Sequence, residues 1–144
     1  MSDDDDPVTV LGEDESWSLL SSVALGRLAT NVTGQAEIFP VNFVAKRPTV
    51  LFKTAPGTKL LTAVMDRRVA FEADDHTLTE GWSVIVKGFA HMLSTNAEIE
   101  EAERSQLRPW VGTLKPYYVT ITASEISGRR FRFGPEPDVE STFA

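Results

Sequence analysis

The sequence contains no cysteine, and this absence excludes several kinds of protein. There is no disulfide framework, no thiolate metal site and no cysteine nucleophile. The two histidines, His76 and His91, do not stand at ligand spacing, so the sequence does not indicate a zinc site. It also lacks a glycine-rich phosphate loop, a dinucleotide-binding motif and a nucleophile elbow. We therefore expect no metal and no catalytic side chain of a recognisable type.

Long apolar runs and excess positive charge are absent as well. No apolar run approaches the roughly 20 residues that a membrane-spanning helix needs. The first residues, MSDDDD, are acidic, whereas a signal peptide begins with positive charge. The formal net charge of −7 argues against a nucleic-acid partner. We expect a cytoplasmic protein with neither membrane nor nucleic acid as its partner.

The length of 144 residues, of which 42% are hydrophobic, fits one globular domain. Acidic residues are concentrated at 3–6, and the last residues, GPEPDVESTFA, combine two prolines with three acids. We therefore predict a disordered N-terminal tail at 1–10, a folded domain at 11–134 and a flexible C-terminal tail at 135–144.

The pattern of apolar residues predicts a chain that is mainly β with short helices, an α+β fold. A glycine within a long apolar strand, Gly88, indicates a bulge or bend of the kind that barrels need. Thr95 and Glu98 have the spacing of a helix capping box. Pro40 lacks an N–H group and indicates a strand edge or bulge. We predict strands at 25–31, 38–45, 49–54, 67–73, 82–93 and 117–124, a return segment at 128–133, and helices at 12–22, 60–66 and 96–107. At least six short strands favour a small antiparallel barrel.

One junction, between the strand 49–54 and the following helix, has the residues of an anion site. Thr54 and Thr58 offer hydroxyl groups, Lys59 offers a cation, and Gly57 lets the backbone approach a ligand closely. The first N–H groups of a helix would add donors for a phosphate. In the alternative interpretation Thr58 simply caps the helix and Lys59 is solvated. The residues alone leave both open.

Five runs of sequence, in this order and spacing, carry a resemblance to a known family. They are GRLAT at 26–30, FPVNF at 39–43, VLFKT at 50–54, GTKL at 57–60 and GWSVIVKG at 81–88. Together they resemble the pyridoxamine 5′-phosphate oxidase-like flavin-binding split-barrel family. The similarity extends from Trp17 to about Phe133 and is greatest to a small branch with nitroimidazole-reductase-type and deazaflavin-dependent members.

This resemblance implies a six-stranded antiparallel split β-barrel that forms a homodimer, with FMN in a cleft between the subunits. The main chain of Pro40, Val41, Asn42 and Phe43 would line the edge of the flavin ring. Ser83 would contact the ring, with Trp82 adjacent, and Trp110 would reach it from the other subunit. The residues implied for the phosphate are Lys53, Thr54, Gly57, Thr58 and Lys59.

Two departures narrow the function that the resemblance implies. Glu37 and Thr58 stand where the oxidases have basic residues, and their C-terminal tryptophan and arginine have no counterpart here. The resemblance therefore does not extend to vitamin B6 oxidation. It implies an FMN-dependent oxidoreductase that transfers hydride or electrons to a small organic substrate. The alternatives are a reductase of the same fold that uses the deazaflavin F420, and a non-catalytic ligand-binding barrel.

Overall fold

The computed structural model describes residues 6–55, 57–65, 67–105 and 117–134. These residues form seven strands and three helices. In chain order they are β1 (Val8–Leu11), α1 (Glu13–Leu20), β2 (Leu25–Val32), β3 (Gln35–Lys46), β4 (Thr49–Thr54), α2 (Lys59–Val64), β5 (Arg67–His76), β6 (Glu80–Met92), α3 (Asn96–Glu103) and β7 (Tyr117–Arg132). No helix of the described ranges is long and apolar enough to cross a membrane.

The strands form one antiparallel sheet that closes on itself. Their order is β1-β7-β4-β3-β2-β5-β6, and β6 pairs again with β7. The closed ring therefore contains six strands, while β1 is added at the edge of β7 beyond the end of β4. The predicted six-stranded antiparallel barrel is confirmed.

The barrel is split along β3. Residues 35–42 of β3 pair with β2, but β4 pairs with β3 only over residues 43–46. Pro40 lies in the part that β4 does not cover, as its missing N–H group led us to expect. Along residues 35–42, the edge of β3 that faces away from β2 is therefore not paired with β4.

The barrel interior is filled by alternating residues of its strands. Val50, Phe52 and Thr54 of β4 point inward and are buried, whereas Leu51 and Lys53 point outward. The rings of Phe43 and Phe71 meet edge to face with centroids 4.7 Å apart. Helix α1 adds Trp17 and Leu20 to the core, and α2 adds Val64.

A second, smaller apolar cluster lies outside the barrel. It contains Leu93, Ala102 and Tyr118, with Val44, Leu51 and Ile99 packed against them. Helix α3 is thereby attached to the outer face of the sheet. The predicted capping box is confirmed: Thr95 accepts a bond from the Glu98 N–H group, and Glu98 accepts one from the Thr95 N–H group.

The predicted irregularity at Gly88 is also confirmed. The β6–β7 register shifts between Lys87 and Gly88, which is a β-bulge. A Cβ atom at Gly88 would lie 2.1 Å from the carbonyl oxygen of Thr122. Only glycine allows the two backbones to approach this closely.

Two predictions about strands were wrong. Residues 117–124 and 128–133 are not a strand and a return segment, because Tyr117–Arg132 is one continuous strand paired with β6 along its length. Residues 8–10 belong to a strand rather than to a disordered tail, because β1 pairs with Gly128–Phe131 of β7. Pairing with a distant strand overrides the weak local preference in both places.

Helix ends and strand ends differ from prediction by a few residues. Helix α2 begins at Lys59, one residue before the predicted start at residue 60, α1 is shorter than the predicted 12–22, and α3 ends at Glu103 rather than at residue 107. Strand β5 continues to His76, three residues beyond its predicted end at residue 73. Its last residues pair with Gly81–Ser83 of β6, so the hairpin is longer than the apolar pattern indicates.

Candidate functional site

The junction between β4 and α2 is held by a small network of hydroxyl groups. The hydroxyls of Thr54 and Thr58 lie 2.9 Å apart, and Thr58 donates to the carbonyl oxygen of Ala55 at 2.9 Å. Thr58 also accepts a bond from the N–H group of Leu61 at 3.2 Å, which makes it the N-cap of α2. With its proton given to Ala55, the Thr58 hydroxyl must accept the proton of Thr54. Thr54 and Thr58, which were both predicted to contact a phosphate, therefore also hold the junction together.

Space beside this network is open at Gly57. Its φ of 71° lies in the left-handed region, which favours glycine. Apart from the neighbours of Gly57 in the chain, no heavy atom of the described residues lies within 4 Å of a Cβ atom built on this glycine. Among the described residues, therefore, no distant side chain covers the backbone here in the direction of that Cβ atom.

Lys59, the first residue of α2, forms an ion pair with Glu37 of β3. Its Nζ atom lies 2.6 Å from Oε1 of Glu37. The lysine side chain is 72% exposed, whereas that of Glu37 is 24% exposed. Glu37 is directly opposite Thr30 of β2, whose buried hydroxyl has no hydrogen-bond partner among the described residues. The sequence indicated the lysine but not its partner, because the two residues lie on different elements.

Lys53 is the second cation of the junction, and it lies on the outer face of β4. Its Nζ atom is 5.7 Å from the centre of the Tyr118 ring, a cation–π distance. Burial raises the pKa of the Tyr118 phenol, and the negative charge of Glu103 adds to the effect. Because the phenol stays neutral at physiological pH, Tyr118 offers Lys53 a ring face rather than a counter-ion.

Strand β3, a neighbour of β4 in the sheet, contains residues 40–43, whose main chain was predicted to line a flavin ring. The side chains of Val41 and Phe43 belong to the core, and only their main chains could contact a ligand. Asn42 instead donates from its amide to the carbonyl oxygen of Ala24 at 3.1 Å. Pro40 and Asn42 belong to the part of β3 beyond the β4 ladder, so its outer edge lies beside the junction.

Ser83 and Trp82 are on β6, away from the junction. The sheet order separates β6 from β4 by β7 on one side and by β5, β2 and β3 on the other. Trp82 is 9% exposed, and its side chain packs in the main core. One copy of the chain thus does not bring these two residues to the β4–α2 junction. Trp110 lies outside the described residues.

Ser83 belongs to a polar cluster that sequence reasoning missed. Its hydroxyl donates to Oε2 of Glu72 at 2.9 Å. The guanidinium of Arg27 contacts Glu72 at 3.1 Å and Asp74 at 3.0 Å. Burial raises the pKa of Glu72, and the neighbouring Asp74 raises it further, whereas Ser83 and Arg27 act in the opposite direction. In the sequence, the only indication of this cluster was that Arg27 falls at an outward-facing position of β2.

A more voluminous cleft than any at the junction's predicted residues lies between other elements. It has a volume of about 760 Å³ and lies between α3 and the outer face of the barrel. Leu51, Lys46, Arg104, His91 and Thr120 are among the residues that line it. It contains none of the predicted cofactor-binding residues. A smaller cleft of about 380 Å³ adjoins Ser83, Trp82 and Glu72.

Residues 12–130 match the model of a protein family described as pyridoxamine 5′-phosphate oxidase. This match covers most of the chain and all of the barrel except the last two residues of β7. The protein belongs to the pyridoxamine 5′-phosphate oxidase family. A relative within the curated proteins, an uncharacterised protein of Mycobacterium tuberculosis, is 60% identical over 96 residues, which are 67% of this chain and 87% of the relative.

Two solved structures, from Mycobacterium smegmatis and Corynebacterium glutamicum, have the same fold. A Mycobacterium smegmatis protein described as FAD binding is 48% identical with a TM-score of 0.78, over 87% of this chain and 99% of that one. A Corynebacterium glutamicum protein named after pyridoxamine 5′-phosphate oxidase is 39% identical with a TM-score of 0.84, over 92% and 98%. This chain therefore has the same fold as these two proteins.

Proposed function

We propose that this protein binds a flavin and uses it to transfer hydride or electrons to a small organic molecule. The observation that carries the proposal is the 48% identity, over nearly the whole of that chain, to a protein described as FAD binding. The β4–α2 junction supports it, since Lys59 and Gly57 stand next to Thr58 among the residues to which the family resemblance assigns the phosphate.

The residues at the junction fit the phosphate end of a flavin. Lys53 and Lys59 supply cations, and the open space beside Gly57 gives access to the backbone. Thr54 and Thr58 shape the junction through their mutual hydrogen bond. Thr30, whose buried hydroxyl has no hydrogen-bond partner within the described part of the chain, lies opposite Glu37 in the sheet. The main chain of residues 40–43 would hold the ring.

The chemistry of such a protein comes from its cofactor. A bound flavin supplies hydride or single-electron transfer at its central ring. The chain's own part is to hold the phosphate, orient the ring along β3 and exclude water from one of its faces. We assign no general acid or base.

We further propose that the working form is a homodimer. Ser83 and Trp82 are remote from the junction within one chain, since β6 is not a neighbour of β3 or β4 in the sheet order. A second copy could bring its own β6 residues, and Trp110, to a cofactor held at the junction of the first. The dimer would thus complete a site that one chain leaves divided.

We base the proposed form of the flavin on the relative described as FAD binding. FMN is the form that the sequence resemblance implies. The relative described as FAD binding favours FAD instead, and we adopt FAD as the leading candidate. FMN and the deazaflavin F420 are the alternatives.

A non-catalytic barrel remains the second candidate, and two contacts favour it. Thr58 is an ordinary helix cap, and Lys59 already has a counter-ion in Glu37. In that case the junction residues serve the fold alone.

Flavin binding distinguishes the two candidates. Purified protein is stripped of any bound chromophore and titrated separately with FAD, FMN and F420, while the fluorescence of each is followed. Saturable binding of FAD or FMN, followed by reduction of the bound flavin and its reoxidation by small organic acceptors, would support the oxidoreductase. A folded protein that binds none of the three would refute it in favour of the non-catalytic barrel. Analytical ultracentrifugation with and without cofactor measures whether the protein is a dimer.

A further inference from the structure

The cleft between α3 and the outer face of the barrel has a floor made by four strands. Leu51 of β4 is paired with Val44 of β3 and with Thr120 of β7. Thr120 is in turn paired with His91 of β6. Residues paired across neighbouring strands point to the same face of a sheet, and all four of these residues line the cleft.

Helix α3 provides another wall of the cleft. Ala102 lines it and packs in the same apolar cluster as Leu51. The volume of about 760 Å³ lies within the range of about 300–1,000 Å³ that is usual for small-molecule sites. A sheet on one side and a helix on another suit a flat ligand with an apolar body.

Several polar groups of the lining are left with a proton to donate. The hydroxyl oxygen of Thr120 lies 3.3 Å from each ring nitrogen of His91. A neutral imidazole has one N–H group and one acceptor nitrogen, so a bond within this pair uses one proton and leaves another for a ligand. Arg104 also lines the cleft, and no carboxylate of the described residues forms an ion pair with it. Its guanidinium offers donors only.

The two carboxylates of the lining, by contrast, are already engaged. Glu98 accepts bonds of 3.2 Å and 2.8 Å from the N–H group and the hydroxyl of Thr95. Oε1 of Glu101 lies 3.9 Å from Nζ of Lys46. The lining therefore leaves more donors than acceptors for a ligand, and it suits a molecule that carries acceptors.

The charges of the lining do not favour an anion. Lys46 and Arg104 are matched in number by the two carboxylates, and Arg47 pairs with Glu13 and Asp14 of α1. An anion would lose its hydration on entering the cleft without a surplus of positive charge to replace it. A cation carries no acceptor for the donors. An uncharged ligand fits the lining best.

The cleft adjoins the proposed phosphate site on the same face of the sheet. Lys53 and Tyr118 form the next outward cross-strand pair, two residues beyond the pair of Leu51 and Thr120. Side chains two residues apart on a strand point to the same face and are about 7 Å apart. A molecule in the cleft would therefore lie beside the second cation of the junction.

We propose that this cleft binds a small, flat, uncharged molecule with an apolar body and a carbonyl oxygen as acceptor. The binding itself does not depend on a flavin. A role for this molecule as the substrate of the oxidoreductase rests on the proposed function, since only a cofactor at the junction would place the two side by side.

Three probes of similar shape test the proposed ligand class. Acetophenone and ethylbenzene have the same carbon skeleton, but only acetophenone has an oxygen acceptor, and benzoate carries a negative charge. The dissociation constant of each is measured by ligand-observed NMR with the natural protein. Acetophenone should bind more tightly than benzoate, and the reverse order would overturn the assignment of an uncharged ligand.

Filling the cleft should prevent binding. Thr122 lines the cleft from an exposed position of β7, and Thr122→Trp should weaken acetophenone binding by at least about tenfold. Ser127→Trp is the matched control, since Ser127 is exposed on the same strand outside the lining. Equal binding by the two variants would show that acetophenone binds elsewhere, and the proposal would be wrong.

Removing a donor should weaken the binding of acetophenone but not that of ethylbenzene. Arg104→Met and Thr120→Val should each lower the affinity for acetophenone, relative to ethylbenzene, about two- to tenfold. Arg129→Met is the control, because it removes an exposed arginine of β7 that does not line the cleft. If neither donor variant changes the relative affinity, the proposed ligand class is wrong.

The failure of this proposal differs from the failure of flavin binding. A natural protein that binds a flavin but none of the probes overturns the cleft as a binding site and leaves the proposed function intact. A protein that binds acetophenone in the cleft but no flavin overturns only the proposed function. Circular dichroism verifies that each variant is folded, and the exposed change at Arg104 keeps the test available if Thr122→Trp does not fold.

Discussion

The hydroxyl group of Ser83 donates a 2.9 Å hydrogen bond to Oε2 of Glu72, and this bond joins β6 to β5 on the outer wall of the barrel. The same carboxylate is held by Arg27 of β2. Three adjacent strands are thus linked by one acidic side chain. Burial and the nearby Asp74 make its ionisation unfavourable, and the pKa of Glu72 is raised from its ordinary value of 4.5.

Glu72 should therefore make stability depend on pH in an unusual direction. A carboxyl group whose pKa is higher in the folded state binds its proton more tightly there than in the unfolded chain. Its contribution to the free energy of unfolding is full below about pH 4.5 and is lost as the pH rises through the folded-state pKa. As the pH rises through this range, the free energy of unfolding of the natural protein should therefore fall relative to that of Glu72→Gln. Denaturant unfolding of both proteins at several pH values measures this difference, and a gain for the natural protein would contradict it.

Removing the hydroxyl of Thr58 should destabilise the junction between β4 and α2. Thr58→Ala removes the helix cap and leaves the buried hydroxyl of Thr54 without its partner. The expected loss in the free energy of unfolding is about 1–3 kcal/mol. Thr58→Ser keeps the hydroxyl and should lose much less. Urea denaturation compares the two, and equal losses would show that the hydrogen bonds are not the cause.

Gly88→Ala should destabilise the barrel at its bulge. The new methyl group would lie 2.1 Å from the Thr122 carbonyl oxygen, so the two backbones must separate. Overpacking of this kind costs about 1–3 kcal/mol. Gly134→Ala is the control, since a Cβ atom there meets no atom of the described residues within 4 Å and Gly134 lies outside the helices and strands. Thermal unfolding of the two variants should differ clearly, and an unchanged Gly88→Ala variant would argue against the close approach.

Lys59→Ala should weaken flavin binding while the fold survives. Loss of a charge-assisted hydrogen bond lowers affinity by at least about tenfold. The ion pair that is lost with it is largely exposed and contributes at most about 1 kcal/mol to stability. Lys87→Ala, which removes an equal charge paired with Glu125, is the control. Fluorescence titration with FAD measures affinity, and unchanged binding in Lys59→Ala would place the phosphate elsewhere.

Local sequence patterns predicted the elements whose cause is local. Strand β4 has the predicted bounds, since its inward and outward residues alternate without exception. The capping box of Thr95 and Glu98 needs only residues three positions apart. The bulge at Gly88 follows from a glycine among strand formers. Each of these features is determined within a few neighbouring residues.

Features that depend on distant partners could not be predicted in the same way. β1 is a four-residue segment whose pairing partner is more than a hundred residues away, and nothing in its own composition identifies it. The bond from Ser83 to Glu72 and the ion pair from Lys59 to Glu37 likewise join separate elements. The sequence indicated which residues could hold a phosphate, but not which of them were already engaged with one another.

Strand β7 pairs with three strands that precede it in the chain, namely β1, β4 and β6. Because β7 follows all three of these partner strands in the chain, its position has a consequence for biosynthesis. Until residues 117–132 leave the ribosome, β1 lacks its partner and β4 and β6 each have one exposed edge. We expect the nascent chain to reach its native topology only after translation of this segment, and to be most vulnerable to aggregation just before that moment.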